Sequence, residues 1–186
     1  MDNGASSYRR FCELGDENGL AEIIIEYRDG LIFYINSYVR NIQIAEELAE
    51  DTFVLLGTKK PKDKGKGSFK TWLYTIGRNV ALSHLRRHSR ISQISDEELA
   101  LIQSDEESLE QSYLREERKI LVHRSLSKLK PDYAQVLYLK FFEEQSNEDI
   151  GRILHKSRRQ VENLVYQAKK SLKSQLEQEG YTYEDL

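Results

Sequence analysis

The sequence predicts an all-α protein built as two small helical domains joined by a flexible acidic linker, the second domain containing a helix-turn-helix. Three observations carry that prediction. Only 2 prolines and 10 glycines interrupt 186 residues, Leu, Glu, Lys, Ile, Arg and Gln dominate, and the alternating Val/Thr-rich runs of a sheet are missing. Apolar residues recur at helical spacing in long stretches of both halves. Between those halves, Ser89 to Gln111 is rich in Ser, Asp and Glu with scattered apolar residues, the composition of a segment that buries too little to fold alone. A hydrophobic content of 39% suffices for one or two small cores. The expected boundaries are a tail over 1–15, a first domain over 16–88, the linker over 89–111, a second domain over 112–179 and a tail over 180–186.

Within the first domain the apolar spacing predicts helices from Glu17 to Arg40 (broken or bent around Asp29-Gly30), from Ile44 to Thr58 and from Ser68 to Arg87. The stretch TKKPKDKGKGS, Thr58 to Ser68, holds one proline, two glycines and five lysines and reads as a loop. After the linker, helices are expected from Ser112 to Lys128, Pro131 to Glu143, Ser146 to Leu154 and Ser157 to Glu179. Pro131 suits a first helical turn, where its missing N–H costs nothing. Ser146-Asn147-Glu148-Asp149 and Ser157-Arg158-Arg159-Gln160 both have the form of a capping box, with an acid or glutamine three residues after the serine. A short capped helix, a three-residue joint (Leu154-His155-Lys156) and a longer amphipathic helix make a helix-turn-helix, with Gly151 allowing close approach.

Composition removes several function classes. One cysteine, Cys12, excludes a disulfide framework and a cysteine zinc site. No apolar run approaches the roughly 20 residues of a membrane span, and the start, MDNGASSYRR, has no apolar signal core. The expectation is a soluble chain in a reducing cytoplasm without direct membrane insertion. No Gly-rich phosphate loop or nucleophile motif is present, so no catalytic residue and no cofactor is expected. The net charge of −3 is unevenly distributed. Residues 56–90 carry 10 basic and 1 acidic side chains and residues 152–173 carry 7 and 1, whereas residues 91–118 carry 2 and 9. Two basic blocks separated by an acidic one point to two nucleic-acid surfaces.

The helix from Ser157 sharpens this. Val161, Leu164, Val165, Ala168 and Leu172 form its apolar stripe, leaving Arg159, Glu162, Asn163, Tyr166 and Lys170 outside. These side chains can read base edges or stack, as a recognition helix in a major groove requires. In FKTWLYTIGRNVALSHLRR, Phe69, Trp72, Leu73, Ile76, Val80 and Leu85 should be core. Lys70, Arg78, Asn79, Arg86 and Arg87 are left for the outside, a basic patch with aromatics interleaved that suits single-stranded nucleic acid. In AEELAEDTF, Glu46, Glu47, Glu50 and Asp51 occupy one arc, with Ile44, Ala45, Leu48, Ala49 and Phe53 on the other. A di-iron site would need inward carboxylates and Glu-x-x-His pairs on further helices, which are missing. A protein-binding acidic face fits better. His84 and His88, four apart, lack an obvious third ligand, and no metal is expected.

Together these segments resemble the extracytoplasmic-function class of bacterial RNA polymerase sigma factors, over about residues 16–88 and 114–175. AEELAEDTF resembles that family's acidic, core-polymerase-binding helix. SFKTWLYTIGRNVALSHLRR is similar to its promoter-melting helix. LSKLKPDYAQVLYLKFFEEQSNEDIGRIL followed by KSRRQVENLVYQAKKSL resembles its C-terminal domain. The resemblance implies an alternative sigma factor, not an enzyme, with core RNA polymerase and promoter DNA (duplex and melted strand) as partners. It also implies a cognate anti-sigma factor, often membrane-bound. It assigns polymerase binding to Glu46, Glu47, Leu48, Glu50, Asp51 and Phe53. The minus-ten element falls to Lys59, Lys60, Lys62, Lys64, Lys66, Lys70, Arg78, Asn79, Arg86 and Arg87, with Asn79 at the position that contacts an extruded base. The minus-thirty-five element falls to Arg158, Arg159, Glu162, Asn163, Tyr166, Gln167 and Lys170, and the acidic linker would thread into the polymerase. Glu50, Gly151, Glu162 and Asn163 depart from residues common in the family, so promoter sequence does not transfer. The rival reading is a stand-alone helix-turn-helix regulator, which leaves the first half idle; a metal-dependent helical enzyme stands further off.

Overall fold

The computed structural model of the chain describes residues 3–63, 65, 67–92 and 124–178, and every regular element among them is helical. The first domain comprises α1 (Asn3–Leu14), α2 (Glu17–Val39), α3 (Ile42–Lys59) and α4 (Phe69–Ser92). Side-chain caps start two of these helices. Asp16 accepts from the Asn18 amide at 3.1 Å, and Asn41 accepts from the Ile44 amide at 3.0 Å. Ile23, Leu31, Ile32, Tyr34, Ile35, Leu56, Leu73 and Tyr74 are almost wholly enclosed. Each aliphatic side chain so buried stabilises the domain by roughly 1.5–3 kcal/mol relative to exposure.

Two expectations for this half need correction. Residues 3–14, expected as part of a tail, form α1, because Tyr8 and Phe11 bury themselves in the domain and the Tyr8 hydroxyl donates to the Pro61 carbonyl at 2.9 Å. Gly4 and Gly19 let α1 lie close: a Cβ at Gly4 would sit 2.4 Å from the Phe69 ring, and one at Gly19 2.3 Å from the Ser7 carbonyl oxygen. Helix α2, expected to break around Asp29-Gly30, runs through without interruption. The reason for Gly30 is packing, since a Cβ there would lie 2.5 Å from the Tyr74 hydroxyl and 2.6 Å from Glu143 Oε1.

In the second domain a helical turn over 124–127 leads into α5 (Pro131–Leu137), with α6 (Asn147–Leu154) and α7 (Arg158–Gln178) following. The expected helix from Pro131 to Glu143 changes its winding at Tyr138–Phe142, a π-helical turn closed by the Glu143 amide on the Tyr138 carbonyl at 3.2 Å. The Tyr138 and Phe142 rings stack within it, with centroids 5.1 Å apart and planes 7° from parallel. Helix α4 continues to Ser92, past the residue 89 at which the linker was expected to begin. The remainder of that linker, residues 112–123 of the helix expected from Ser112, and residues 179–186 lie outside the described residues.

The two domains touch. Arg40 donates to the Leu129 carbonyl at 2.7 Å, Lys70 pairs with Glu143 at 2.6 Å, and Thr71 donates to Gln145 at 3.2 Å. Helix α4 of the first domain packs directly against α6 of the second.

Candidate nucleic-acid interface

Local chemistry builds the helix-turn-helix much as its sequence implies. Ser146 accepts from the Asp149 amide at 3.1 Å and opens α6. His155 takes the left-handed conformation, φ 55°, that ends it. The joint therefore turns without a glycine. Ser157 then forms a reciprocal capping box: its hydroxyl accepts from the Gln160 amide at 3.3 Å, and its own amide donates to Gln160 Oε1 at 2.7 Å. Gly151 faces the turn, where a Cβ would lie 2.6 Å from the Lys156 carbonyl oxygen.

Helix α7 presents Arg158, Arg159, Glu162, Asn163, Tyr166, Gln167 and Lys170 to solvent, with Val161 and Ala168 buried beneath. Tyr166 is 67% exposed, its ring face open to solvent for most of its area. Two of the seven residues are engaged with each other: Arg158 Nε donates to Glu162 Oε1 at 3.0 Å, and Arg158 also lies 3.6 Å from Glu148. Arg159, Asn163, Tyr166 and Lys170 are the side chains most available to a duplex. Lys169 sits over the exposed Phe141 ring, 4.8 Å from its centroid, adding a cation beside this face that the sequence reading missed. Asn163→Ala should therefore change the preferred upstream bases by roughly five-fold or more, the effect of one lost base contact. Glu162→Ala should shift preference less, because Arg158 already occupies its carboxylate. Selection from a promoter library by the reconstituted complex reads both.

In the first domain Asn79 is exposed on α4 and lines an open groove of about 570 Å³ with Asp51, Pro61, Trp72, Ile76 and Arg87. This places an amide, a half-buried indole and a guanidinium around one concave, partly apolar site, the combination that holds a flat polar ring by its face and its edge. Arg86 is exposed beyond it, and Lys59, Lys60 and Lys62 are exposed at the loop. Lys60 lies over the Phe11 ring at 4.5 Å, so α1 helps hold the basic loop. Lys64 and Lys66 lie outside the described residues. Two expected members of this group are directed elsewhere. Arg78 is half-buried beside Tyr34 and Tyr38, with its Nε enclosed. Burial pushes the Tyr38 phenol up to about 12, and the Arg78 charge opposes that rise. Lys70 is committed to Glu143 of the second domain.

On α3, Glu47, Glu50 and Asp51 are exposed, and Glu46 lies 3.7 Å from Arg28. Leu48 and Phe53, which the resemblance put in the contact set, are 3% and 5% exposed and belong to the core. Exposed apolar surface beside the acids comes instead from Val54, 59% exposed on α3; on α2, Ile25 is 84% exposed. Val54 lines an open groove of about 440 Å³ together with Leu20, Ile24, Arg28, Glu50 and Phe53. Sequence reasoning did not single out Ile25 or Val54, although an apolar residue on the acidic arc was a visible irregularity. Leu85, expected in the core, is 37% exposed. The His84 and His88 ring centroids lie 4.3 Å apart with the planes tilted by 36°, and burial, then the His88 and Arg87 charges, hold His84 below its ordinary range. Among the described residues no three His, Cys, Asp or Glu side chains gather as a metal site.

Two family matches coincide with this division. Residues 23–91 match Sigma-70 region 2, and residues 119–172 match Sigma-70, region 4. The chain belongs to the extracytoplasmic-function class of RNA polymerase sigma factors. Its sequence is 26% identical over 171 residues to RNA polymerase sigma-H factor of Pseudomonas aeruginosa, covering 88% of this chain and 89% of that one. It is 29% identical over 161 residues to RNA polymerase sigma factor YlaC of Bacillus subtilis, covering 86% and 92%. In fold it is similar to the sigma factor RpoE of Bartonella quintana, solved in complex with the anti-sigma factor NepR. That match has a TM-score of 0.66 and 21% identity, and it covers 84% of this chain and 96% of that one. This sigma factor is thus an alternative promoter-recognition subunit in transcription initiation, with region 2 holding the Asn79 groove and region 4 the helix-turn-helix. No helix among its described residues is long and apolar enough to cross a membrane.

Proposed function

We propose that this sigma factor divides its work among three surfaces. The acidic face of α3 (Glu47, Glu50 and Asp51, with Val54 beside it) docks on core RNA polymerase. The Asn79 groove, flanked by Arg86, Arg87 and the lysine loop, receives a base extruded from the minus-ten element. Helix α7 enters the major groove at the minus-thirty-five element through Arg159, Asn163, Tyr166 and Lys170. The observation that carries this reading is the groove itself: Asn79, Trp72 and Arg87 converge on one concave site within a basic helix. Such a site fits an unstacked base and has no use in a protein that reads duplex DNA alone.

The protein makes and breaks no covalent bond in this scheme. Opening follows from differential binding, in which the captured strand stabilises the melted state over the duplex. Two modest DNA grips gain from each other only when a scaffold fixes their spacing, and core polymerase supplies that scaffold. A cognate anti-sigma factor, by analogy with the RpoE–NepR complex, and a cytoplasmic location complete the reading.

Run-off transcription on genomic fragments with core enzyme tests it. Specific transcripts should require this protein, and their start sites should share two upstream elements. Duplex binding without core and no transcript with core would instead identify a stand-alone regulator. The polymerase surface has its own test. Reversing Glu47 and Asp51 to Lys should weaken core binding at least ten-fold while leaving helicity intact, because exposed charge changes usually alter stability by only about 0.5 kcal/mol. A fluorescence titration with unchanged core affinity would sink the assignment of α3.

A further inference from the structure

We propose that Tyr8 of α1 is a positioning residue for strand opening: it ties together two walls of the Asn79 groove, Pro61 and Trp72, and so fixes the spacing at which a base is received. The proposal rests on the reading of that groove as the minus-ten base site.

Pro61 and Trp72 line the groove from different elements. Trp72 stands on α4, whereas Pro61 follows the end of α3 and opens the lysine loop. Tyr8 is not among the residues that line the groove, yet it reaches both walls. Its ring lies against that of Trp72, with centroids 5.1 Å apart, and against Phe69 at 5.6 Å. Its hydroxyl donates to the Pro61 carbonyl at 2.9 Å.

Tyr8 is suited to be a tie and not a ligand. It is only 6% exposed, too enclosed to meet DNA itself. Burial, then the neighbouring Cys12, holds its phenol well above the ordinary range, so the hydroxyl stays a neutral donor. The backbone that it grips needs restraint. Lys60, just before Pro61, takes the left-handed conformation, φ 42°, which side chains with a Cβ seldom adopt. Helix α1 holds this junction a second time, since the Phe11 ring lies 4.5 Å beneath the Lys60 ammonium. The chain that joins the two walls carries Gly65, which turns at φ 63°, and Gly67. Glycines leave that segment too permissive to set the spacing by itself. A groove that is formed only part of the time binds its base more weakly in proportion. Pro61 is half-buried, so its carbonyl can turn to water once the tyrosine hydroxyl is gone. That frees the wall and leaves the fold standing.

The test uses the full chain bound to core polymerase and a promoter fragment whose minus-ten bases are already unpaired. Each minus-ten nucleotide is replaced in turn by an abasic one. The parental complex should lose at least five-fold in affinity at one position, the effect of removing a held base. Tyr8→Phe deletes one oxygen and keeps the ring. It should bind the intact template roughly three- to ten-fold less tightly, the equilibrium factor of one neutral hydrogen bond. It should bind the abasic template as the parent does, so that its abasic penalty shrinks by the same factor. Tyr38→Phe is the control, because it removes another tyrosine hydroxyl of this domain, one that meets the Tyr34 hydroxyl at 2.8 Å. Circular dichroism establishes the helicity and melting midpoint of both variants. A Tyr8→Phe complex that weakens on intact and abasic templates equally, or no more than Tyr38→Phe, overturns the positioning role and leaves the groove assignment standing. A parental complex indifferent to every abasic position overturns the base site itself, and the role of Tyr8 with it.

Discussion

Asn79→Ala should cut transcription from a duplex promoter roughly ten-fold, since a lost contact to a base edge is worth about 1–3 kcal/mol. The same variant should lose about three-fold or less on a template whose minus-ten bases are already unpaired. The difference arises because extruding a base costs a few kcal/mol, and a pre-opened template no longer demands it. The residue is well placed for this comparison: it is exposed at the mouth of a groove, outside the core, so its removal should leave the helix standing. The measurement is run-off yield with core polymerase on matched duplex and bubble templates. Equal defects on both would make Asn79 a structural residue and remove the base pocket from region 2.

Gly151→Val should destabilise the helix-turn-helix by about 2 kcal/mol or more and abolish upstream recognition with it. The Cβ alone would lie 2.6 Å from the Lys156 carbonyl oxygen, and that oxygen belongs to the turn, not to a side chain that can rotate aside. The Gly151 carbonyl also accepts the Lys156 amide at 2.9 Å, so displacing the turn breaks the bond that ends α6. Overpacking of this kind typically costs 1–3 kcal/mol, and a β-branched side chain adds a further penalty within a helix. For a unit of 60–100 residues each kcal/mol lowers the melting midpoint by roughly 4–8 °C. Thermal unfolding followed by circular dichroism, paired with binding of polymerase holoenzyme to an upstream fragment, reads both effects. A parental midpoint with intact binding would mean that the turn has room to yield.

The two variants probe features of different legibility. Gly151 and both capping boxes were readable because they act within about ten residues, where the identity of each residue largely sets the local geometry. The exposed face of α7 was readable for the same reason: an apolar stripe on a helix assigns the opposite arc to solvent. The Asn79 groove was half legible. Its exposure followed from helical spacing, but its walls include Asp51 and Pro61, which α4 meets only through packing. Leu48 and Phe53 show the hazard of carrying a family's contact set across. Their own spacing put them on the apolar side of α3, and the core is where they lie. Residues 3–14 mix helix formers with Asn, Gly and Ser, so α1 was invisible until Tyr8 found Phe69, Trp72 and Pro61 more than 50 residues away.

By itself the sequence determined the helical class, the order of the helices after α1, the two serine capping boxes, the helix-turn-helix and the two basic faces. These depend on propensity, period and charge, all of which act between near neighbours. Only the tertiary structure decided which basic residues are available. Lys70 and Arg78 sit in the same basic helix as Arg86 and Arg87, and nothing in their local sequence distinguishes them. One is bound by Glu143, 73 residues along the chain, and the other is packed beside Tyr34 and Tyr38. A charge pattern records how many cations a helix carries, but whether each is free depends on the low-dielectric surroundings and partners that folding brings to it.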